Sequence, residues 1–475
     1  MPQFPDIKLS RREILQLALL LPARIPLQTR PTAAVIRFLN YDEAQPVVQS
    51  GKLTLPSSLS SMRSGAIRAA WPQWVRDRDL AIRTRLDRGE EDTLANFVLF
   101  GVSFTASPRV TPDITNPDEV DRLIRTRVGN FVEAVASPGT SERLALLAGL
   151  IARLGYSAER GEPRERLAEY VQQNVSRYLA ERKRYQSTVD VLVGNDTTPA
   201  FAATSSLYKD RGLSVDTDFR PSYAIDACLA EVKRRGLLRS VRRVAIIGPG
   251  LDFTDKDSGF DHYPLQTLQP FAVVDSLLRL GLSKREDLRV SILEISNPAL
   301  DHVRQAVARA RAGQSYTLQL VLDRAREWSS GALDYWQRLA ATIGASVEPL
   351  PLPPQVANAG RRAVRIRPNV VALLEPLSLD IVLQRLVLST EQRYDLVIGT
   401  NVFIYYEALE QALALLNVES MLSAGGVFLT NDLTEEYPGV RLRPAGITRV
   451  TYGPNQEEQV QIYSRPTFGL QLPPV

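Results

Sequence analysis

Residues Arg243 to Gly250 read Arg-Val-Ala-Ile-Ile-Gly-Pro-Gly, a branched apolar run that stops on two glycines. A continuous apolar run of this length is the signature of a strand buried on both faces, as in a parallel sheet. Gly248 and Gly250 let the backbone turn sharply and approach a ligand with no Cβ in the way. Alone, a Gly-x-Gly after a strand also arises for purely steric reasons. The elements that follow it narrow the choice.

From Val241 onward strands and helices alternate. A helix runs from about Pro270 to Gly281, with proline at a favoured first position. Arg289 to Ile295 is a strand carrying Glu294 at its end. Pro298 to Arg311 is a helix, Leu318 to Leu322 a strand, and Trp328 to Ile343 a helix. Ala363 to Leu374 contains a further strand. Tyr394 to Gly399 is a strand that runs into Asn401-Val-Phe-Ile-Tyr-Tyr406. Glu407 to Leu422 is a helix and Gly426 to Thr430 a strand. Thr448 to Tyr452 and Val460 to Ser464 bracket Gly453-Pro454-Asn455 as a hairpin. This order predicts an α/β fold, a mainly parallel sheet covered on both faces with a closing antiparallel hairpin.

Residues 33–221 read as a mostly helical domain, placed before an α/β domain over 222–467. Ala66 to Arg88 is charged and amphipathic, and Glu91 to Phe100 continues it. Leu144, Leu147, Ala148 and Ile151 recur at helical spacing, as do Leu167, Tyr170, Val171 and Val175. Asn96, Ser103 and Thr105 place polar groups in an otherwise apolar stretch, as site residues do. A helix from about Tyr223 to Arg235 delivers the chain to the first strand. Residues 1–32 allow two readings. Arg11 and Arg12 before the apolar run Leu17 to Leu21 resemble a twin-arginine export signal. Equally, Ser10 caps an ordinary first helix with both arginines on its wet side.

Composition excludes several function classes. Only seven of the 57 basic residues are lysine, and they are interleaved with acids, so no nucleic-acid footprint is expected. The single Cys228 forbids an intramolecular disulfide and any multi-cysteine metal site. With two histidines, His262 and His302, a histidine-based zinc site is not expected either, and no metal is assigned. No apolar stretch reaches the length of a membrane span.

With these residues in view, the region from about Val241 to Arg465 resembles a class I S-adenosylmethionine-dependent methyltransferase domain. Its fold is a Rossmann-like sheet with a reversed last strand. Gly248-Pro249-Gly250 resembles the family's first motif, and Tyr394-Asp-Leu-Val-Ile398 the strand of its fourth. The segment from Asn401 to Tyr406 is similar to the Asn-Val-x-Ile-Tyr segment of chemotaxis-receptor glutamate methyltransferases. The resemblance implies S-adenosylmethionine as cofactor. Gly248 and Gly250 would border its amino-acid end, with Asp252 just beyond them. Glu294 would hold the ribose hydroxyls, since a carboxylate accepts two charge-assisted hydrogen bonds from a vicinal diol. Asp380 falls where the family places a polar residue near the adenine. Asn401 and Tyr405 would face the transferring methyl.

Two departures from the family stand out. A third glycine is missing, and Glu294 comes 44 residues after Gly250, where about twenty is usual. The excess is largely the acidic stretch Asp252 to Tyr263. It reads as a solvated insertion or as a lid or substrate wall carrying Asp255, Asp257, Asp261, His262 and Tyr263; a calcium loop is a third reading, disfavoured by acidic spacing that does not fit the helix-loop-helix pattern and by the lack of a closing glutamate. For a hydroxyl acceptor, Asp261 or His262 would serve as base; a carboxylate acceptor needs none. The expected activity is direct methyl transfer to an unknown acceptor. Two alternatives remain at this point: a catalytically silent methyltransferase-like binding module, and a nicotinamide-dependent oxidoreductase, whose cofactor is held by the same kind of loop and acid. Since S-adenosylmethionine is a cytoplasmic metabolite, the expected location is the cytoplasm, with export through a twin-arginine signal as the alternative.

Overall fold

The computed structural model describes residues 35–111, 114–193, 219–255, 259–354, 356, 358–432 and 436–467. The N-terminal stretch read as a helix or export signal lies outside them, as does Asp257. The described residues from Ile36 onward form one compact unit.

The unit is built around a seven-stranded, mostly parallel sheet. Its strands in chain order are β1 (Arg243–Ile247), β2 (Arg289–Glu294), β6 (Leu374–Ser378), β7 (Tyr394–Gly399), β8 (Leu422–Thr430), β9 (Arg443–Gly453) and β10 (Gln456–Ser464). In space they run β9-β10-β8-β7-β1-β2-β6. β1 is central, with Ile246 registered against Ile292 of β2 and Ile398 of β7, all parallel. β10 is antiparallel to both β8 and β9, so the expected hairpin closes the sheet. This is a Rossmann-like α/β architecture.

Alternate strand residues point to opposite faces. Val244, Ile246, Val290, Ile292, Leu396, Ile398 and Val427 pack with α5 (Arg220–Arg234), α6 (Gln269–Arg279) and α7 (Asn297–Arg311). The intervening Ala245, Ile247, Val397 and Phe428 are buried as well. Burial on both faces is why these strands read as continuous apolar runs. Cys228 on α5 is a buried core residue whose thiol burial pushes up to about 12, so it stays protonated.

Among the described residues, Val35–Phe38 and Gln384–Val387 form a separate two-stranded sheet, and three further strands also lie outside the main sheet. β3 (Tyr316–Asp323), β4 (Gly344–Val347) and β5 (Ala359–Ile366) make a separate antiparallel sheet in the order β3-β5-β4. The expectation that Leu318–Leu322 and Ala363–Leu374 continue the parallel pattern is therefore corrected. The strand beside β2 is Leu374–Ser378. The physical reason shows in β3, where buried Tyr316, Leu318, Leu320 and Leu322 share one face and exposed Thr317 with half-buried Val321 and Asp323 the other, the pattern of a sheet with one wet face. Residues 344–347, which the sequence reading leaves unassigned, are β4, and the helix expected over Trp328–Ile343, α8, is only Ser330–Arg338.

The N-terminal half supplies α1 (Ser64–Phe100), α2 (Pro117–Ala136), α3 (Glu142–Arg153) and α4 (Glu162–Val193). Leu94, Phe97, Val98, Phe131, Leu147, Leu167 and Val171 form their shared core. Phe253 and Leu265, from the other half of the chain, are buried in that same core, with Phe253 edge-on to Phe97 at 5.8 Å between ring centres. None of the described helices is long and apolar enough to cross a membrane.

Candidate functional site

A cleft of about 520 Å³ opens at the carboxyl ends of the central strands. Its walls come from Ile247, Gly248 and Gly250 after β1, from Leu293, Glu294 and Ile295 at the end of β2, and from Leu379 and Ile381 after β6. Asn401, Val402, Tyr405 and Tyr406 after β7 complete the sheet side. The chain leaves β1 toward β2 and β6, then crosses back to β7 on the other flank. That reversal leaves a crevice between the outgoing loops, the position where open α/β sheets bind ligands.

Gly248 and Gly250 have φ of +59° and +65°, the left-handed region that side chains disfavour. A Cβ on Gly248 would also sit 3.0 Å from Val402 Cγ2. The glycines thus bring bare backbone to the cleft wall, and Val402 is packed against it.

Glu294 is 5% exposed. The backbone N–H groups of Ile295 and Ser296 donate to its Oε1 at 2.7 and 2.9 Å, which fixes the carboxylate at the cleft wall. Burial raises its pKa, opposed by those amides and by that of Gly250. Asp380 is fully buried between two residues that line the cleft but is not itself part of the lining. Its Oδ1 accepts from Val382 N at 2.9 Å, and its Oδ2 has no hydrogen-bond donor. Burial, together with the nearby carboxylate of Asp79 on α1, pushes Asp380 up to about 7 against the pull of Arg83. Two carboxyl groups face each other there, which is why the Asp380 oxygen lacks a donor unless a proton lies between them.

The structure does not bring the other sequence candidates to this cleft. Asp252 turns away from it and accepts from Tyr263 Oη at 2.9 Å and Gln266 Nε2 at 2.7 Å. Burial pushes it up to about 7. Asp261 is 2% exposed, and all of its bonds run to the turn after α1: Val102 N at 3.0 Å, Ser103 N at 2.9 Å and Ser103 Oγ at 2.9 Å. His262 is outside the cleft lining too. Neither Asp261 nor His262, each expected to serve as base, is among the residues lining this cleft. Ser103, a polar residue in an apolar stretch, is the anchor of Asp261.

The described residues of the acidic stretch, 252–255 and 259–263, are packed and bonded as a strut rather than solvated. Arg143 on α3, 3% exposed, donates through Nη2 to Asp252 O at 2.9 Å, and also to the carbonyls of Phe253 and Tyr263. Glu142 accepts from Leu265 N at 2.8 Å. Arg127 on α2, fully buried, donates to the carbonyls of Val98, Ser107 and Pro108 at 2.6 to 2.8 Å and so shapes the turn that receives Asp261. The loop ties the helical half to the sheet.

Burial and the charge of Arg143 push His262 down to about 4. An unfolded histidine titrates near 6.5. Between those values the unfolded chain holds a proton that the folded chain does not, so this group removes stability as pH falls from about 6.5 to 4. Asp252 acts with the opposite sign, since its raised pKa keeps a proton in the folded state. The comparison with His262→Gln isolates the histidine: the variant is expected to lose less stability than the parent between pH 7 and 5 in chemical denaturation. Equal losses would show that His262 is protonated in the folded state.

The residues that sequence reading missed come mostly from α1. Leu86 lines the cleft. Arg85 donates from Nη2 to the carbonyl of Tyr405 at 2.8 Å, and Arg78 pairs with Glu410. The helical periodicity of α1 shows that it is amphipathic but not which face meets a loop 320 residues later.

No family model and no curated protein matches this sequence. Solved structures that match this chain include the N-methyltransferase NodS from Bradyrhizobium japonicum WM9, at 10% identity over 52% of this chain and 97% of that one, with a TM-score of 0.27. Magnesium protoporphyrin IX methyltransferase from Synechocystis PCC 6803 is 11% identical over 52% of this chain and 82% of its own, with a TM-score of 0.25. The CurJ carbon methyltransferase is 13% identical over 85% of this chain and 98% of its own, with a TM-score of 0.24. These scores are too low for any property to pass from those proteins to this chain.

Proposed function

We propose that the chain binds S-adenosylmethionine in the cleft between β1, β2 and β7 and transfers its methyl group to an acceptor. One observation carries the reading: a buried carboxylate, Glu294, and two left-handed glycines, Gly248 and Gly250, line a single cleft at the switch point of the sheet. That combination suits a ligand with a vicinal diol at one end and a polar group needing close backbone approach at the other. The residues present fit this cofactor, which supplies a methyl group already made electrophilic by its sulfonium sulfur.

The chain's own work is then to orient and to exclude water. Glu294 holds the ribose hydroxyls. Gly248 and Gly250 admit the amino-acid end. Leu379 and Ile381 give an apolar wall, and Asp380, sealed just behind them, sets the polarity of that side. Asn401 and Tyr405 face the reacting end. Of the three residues expected to serve chemistry, Tyr405 is the one on the cleft wall, so it is the group placed to guide a proton where the acceptor must lose one. Leu86 and Arg85 put α1 at the mouth, so the helical half selects the acceptor.

Calorimetric titration of S-adenosylmethionine and S-adenosylhomocysteine tests the reading. Micromolar binding of both, with no heat from a nicotinamide dinucleotide, is the expected result. Absence of binding by either sulfur compound overturns it.

A further inference from the structure

We infer that Asn431 and Asp432, just beyond β8, are positioning residues that hold the turn from Asn401 to Tyr406 in the shape that completes the cleft. The part of this inference that concerns a ligand rests on the cofactor reading above.

Four of the cleft-lining residues, Asn401, Val402, Tyr405 and Tyr406, sit on this one short turn. Its first residue is strained. Asn401 has a φ of +56°, a left-handed conformation that asparagine tolerates but that costs energy in any residue other than glycine. Such strain persists only where the surroundings over-determine it. Here the surroundings are the two residues at the end of the neighbouring strand. Asn401 and Asn431 exchange a reciprocal amide pair: Asn401 N donates to Asn431 Oδ1 at 2.8 Å, and Asn431 Nδ2 donates to Asn401 Oδ1 at 2.9 Å. Asn431 also donates to Glu458 on β10, which holds it from behind. Asp432, 6% exposed, accepts from Val402 N and Phe403 N through the same Oδ2, both at 2.9 Å.

The carbonyl side of the turn is held by other residues. Gln411 on α9 (Ala408–Met421) donates to the carbonyls of Phe403 and Tyr406 at 3.0 and 2.9 Å, and Arg85 donates to that of Tyr405. The amide side therefore depends on Asn431 and Asp432. Without Asp432 two inward-facing N–H groups lose their acceptor, and without Asn431 the left-handed Asn401 loses its reciprocal pair. Val402 would move with them, and its Cγ2 is the atom packed where a Cβ on Gly248 would stand. The turn and the glycine cradle are thus one mechanical unit.

The experiment compares the parent chain with Asp432→Ala, Asp432→Asn and Asn431→Ala. Hydrogen exchange is read on peptides covering 401–406 and, as a reference, Arg243–Ile247. Calorimetry reads S-adenosylhomocysteine affinity. Asp432→Ala is expected to speed exchange of the turn about 10-fold with the reference strand unchanged, and to weaken the ligand by about 10-fold. Asp432→Asn keeps a carbonyl oxygen in the same place and is expected to recover most of both, a rescue that a general loss of stability does not give. Asn431→Ala is expected to fall between them. Parent-like exchange or parent-like affinity in Asp432→Ala overturns the inference while leaving the cofactor reading intact. A parent chain that binds no S-adenosylhomocysteine overturns the cofactor reading and the ligand part of this inference, and the exchange data then decide the tether alone.

Discussion

Replacing Glu294 with alanine is expected to weaken S-adenosylhomocysteine binding about 100-fold. Two charge-assisted hydrogen bonds to a diol, lost together from a water-poor wall, correspond to about 2.7 kcal/mol. The carboxylate is held by the amides of Ile295 and Ser296, so it meets its ligand already oriented and little of its binding energy is spent on ordering a side chain. Glu294→Gln keeps the shape and one acceptor oxygen and is expected to lose about 10-fold. Calorimetric titration of the three proteins measures this, with their ligand-free melting curves as the control for folding. Unchanged affinity in Glu294→Ala would remove the residue from the cofactor site and leave the cleft without its diol anchor.

The largest expected effect on stability lies far from that cleft. Arg143→Ala is expected to destabilise the chain by about 3 to 5 kcal/mol. One buried guanidinium serves the carbonyls of Asp252, Phe253 and Tyr263, and alanine leaves all three without that donor and opens a cavity beside them. The planar fork of arginine is what allows three acceptors to share one side chain. Lysine, with a single ammonium, is expected to recover only part of the loss. Chemical denaturation followed by far-ultraviolet circular dichroism gives the number. A cost below about 1 kcal/mol would mean that the strut is held by Phe253 and Leu265 packing alone.

Much of the sheet was legible because its strands are buried on both faces. Arg243 to Ile247, Arg289 to Glu294 and Tyr394 to Gly399 each pair short apolar runs with a polar or glycine residue at the carboxyl end, and those ends make the cleft. The terminal hairpin was legible from its turn, where Asn455 takes a φ of +55°. The segment from 316 to 366 was misread in part. Its first strand, Tyr316–Asp323, alternates buried with more exposed residues, and that period distinguishes a one-sided antiparallel sheet from a parallel core strand. Asn431 and Asp432 carried a usable signal, two polar residues directly after a buried strand at the ligand-binding edge. Asp252, Asp261 and His262 looked like chemistry because polar groups clustered next to a glycine loop. Of these side chains, that of Asp261 joins the two halves of the molecule through Val102 and Ser103, while the Asp252 carboxylate is spent within its own loop on Tyr263 and Gln266.

By itself the sequence determined the α/β class, the place of the glycine turn and the acid that follows the second strand. Hydrophobic period and turn chemistry are local, and a chain records them residue by residue. The tertiary structure alone decided which carboxylates face the cleft and which are consumed as struts. It alone placed Asp79 against Asp380, Arg85 against Tyr405 and Asp432 under the turn that follows β7. Those pairings join residues separated by 30 to 320 positions. Nothing in the local pattern of either partner encodes the other, and only the packing of α1 and the order of strands in the sheet brings them together.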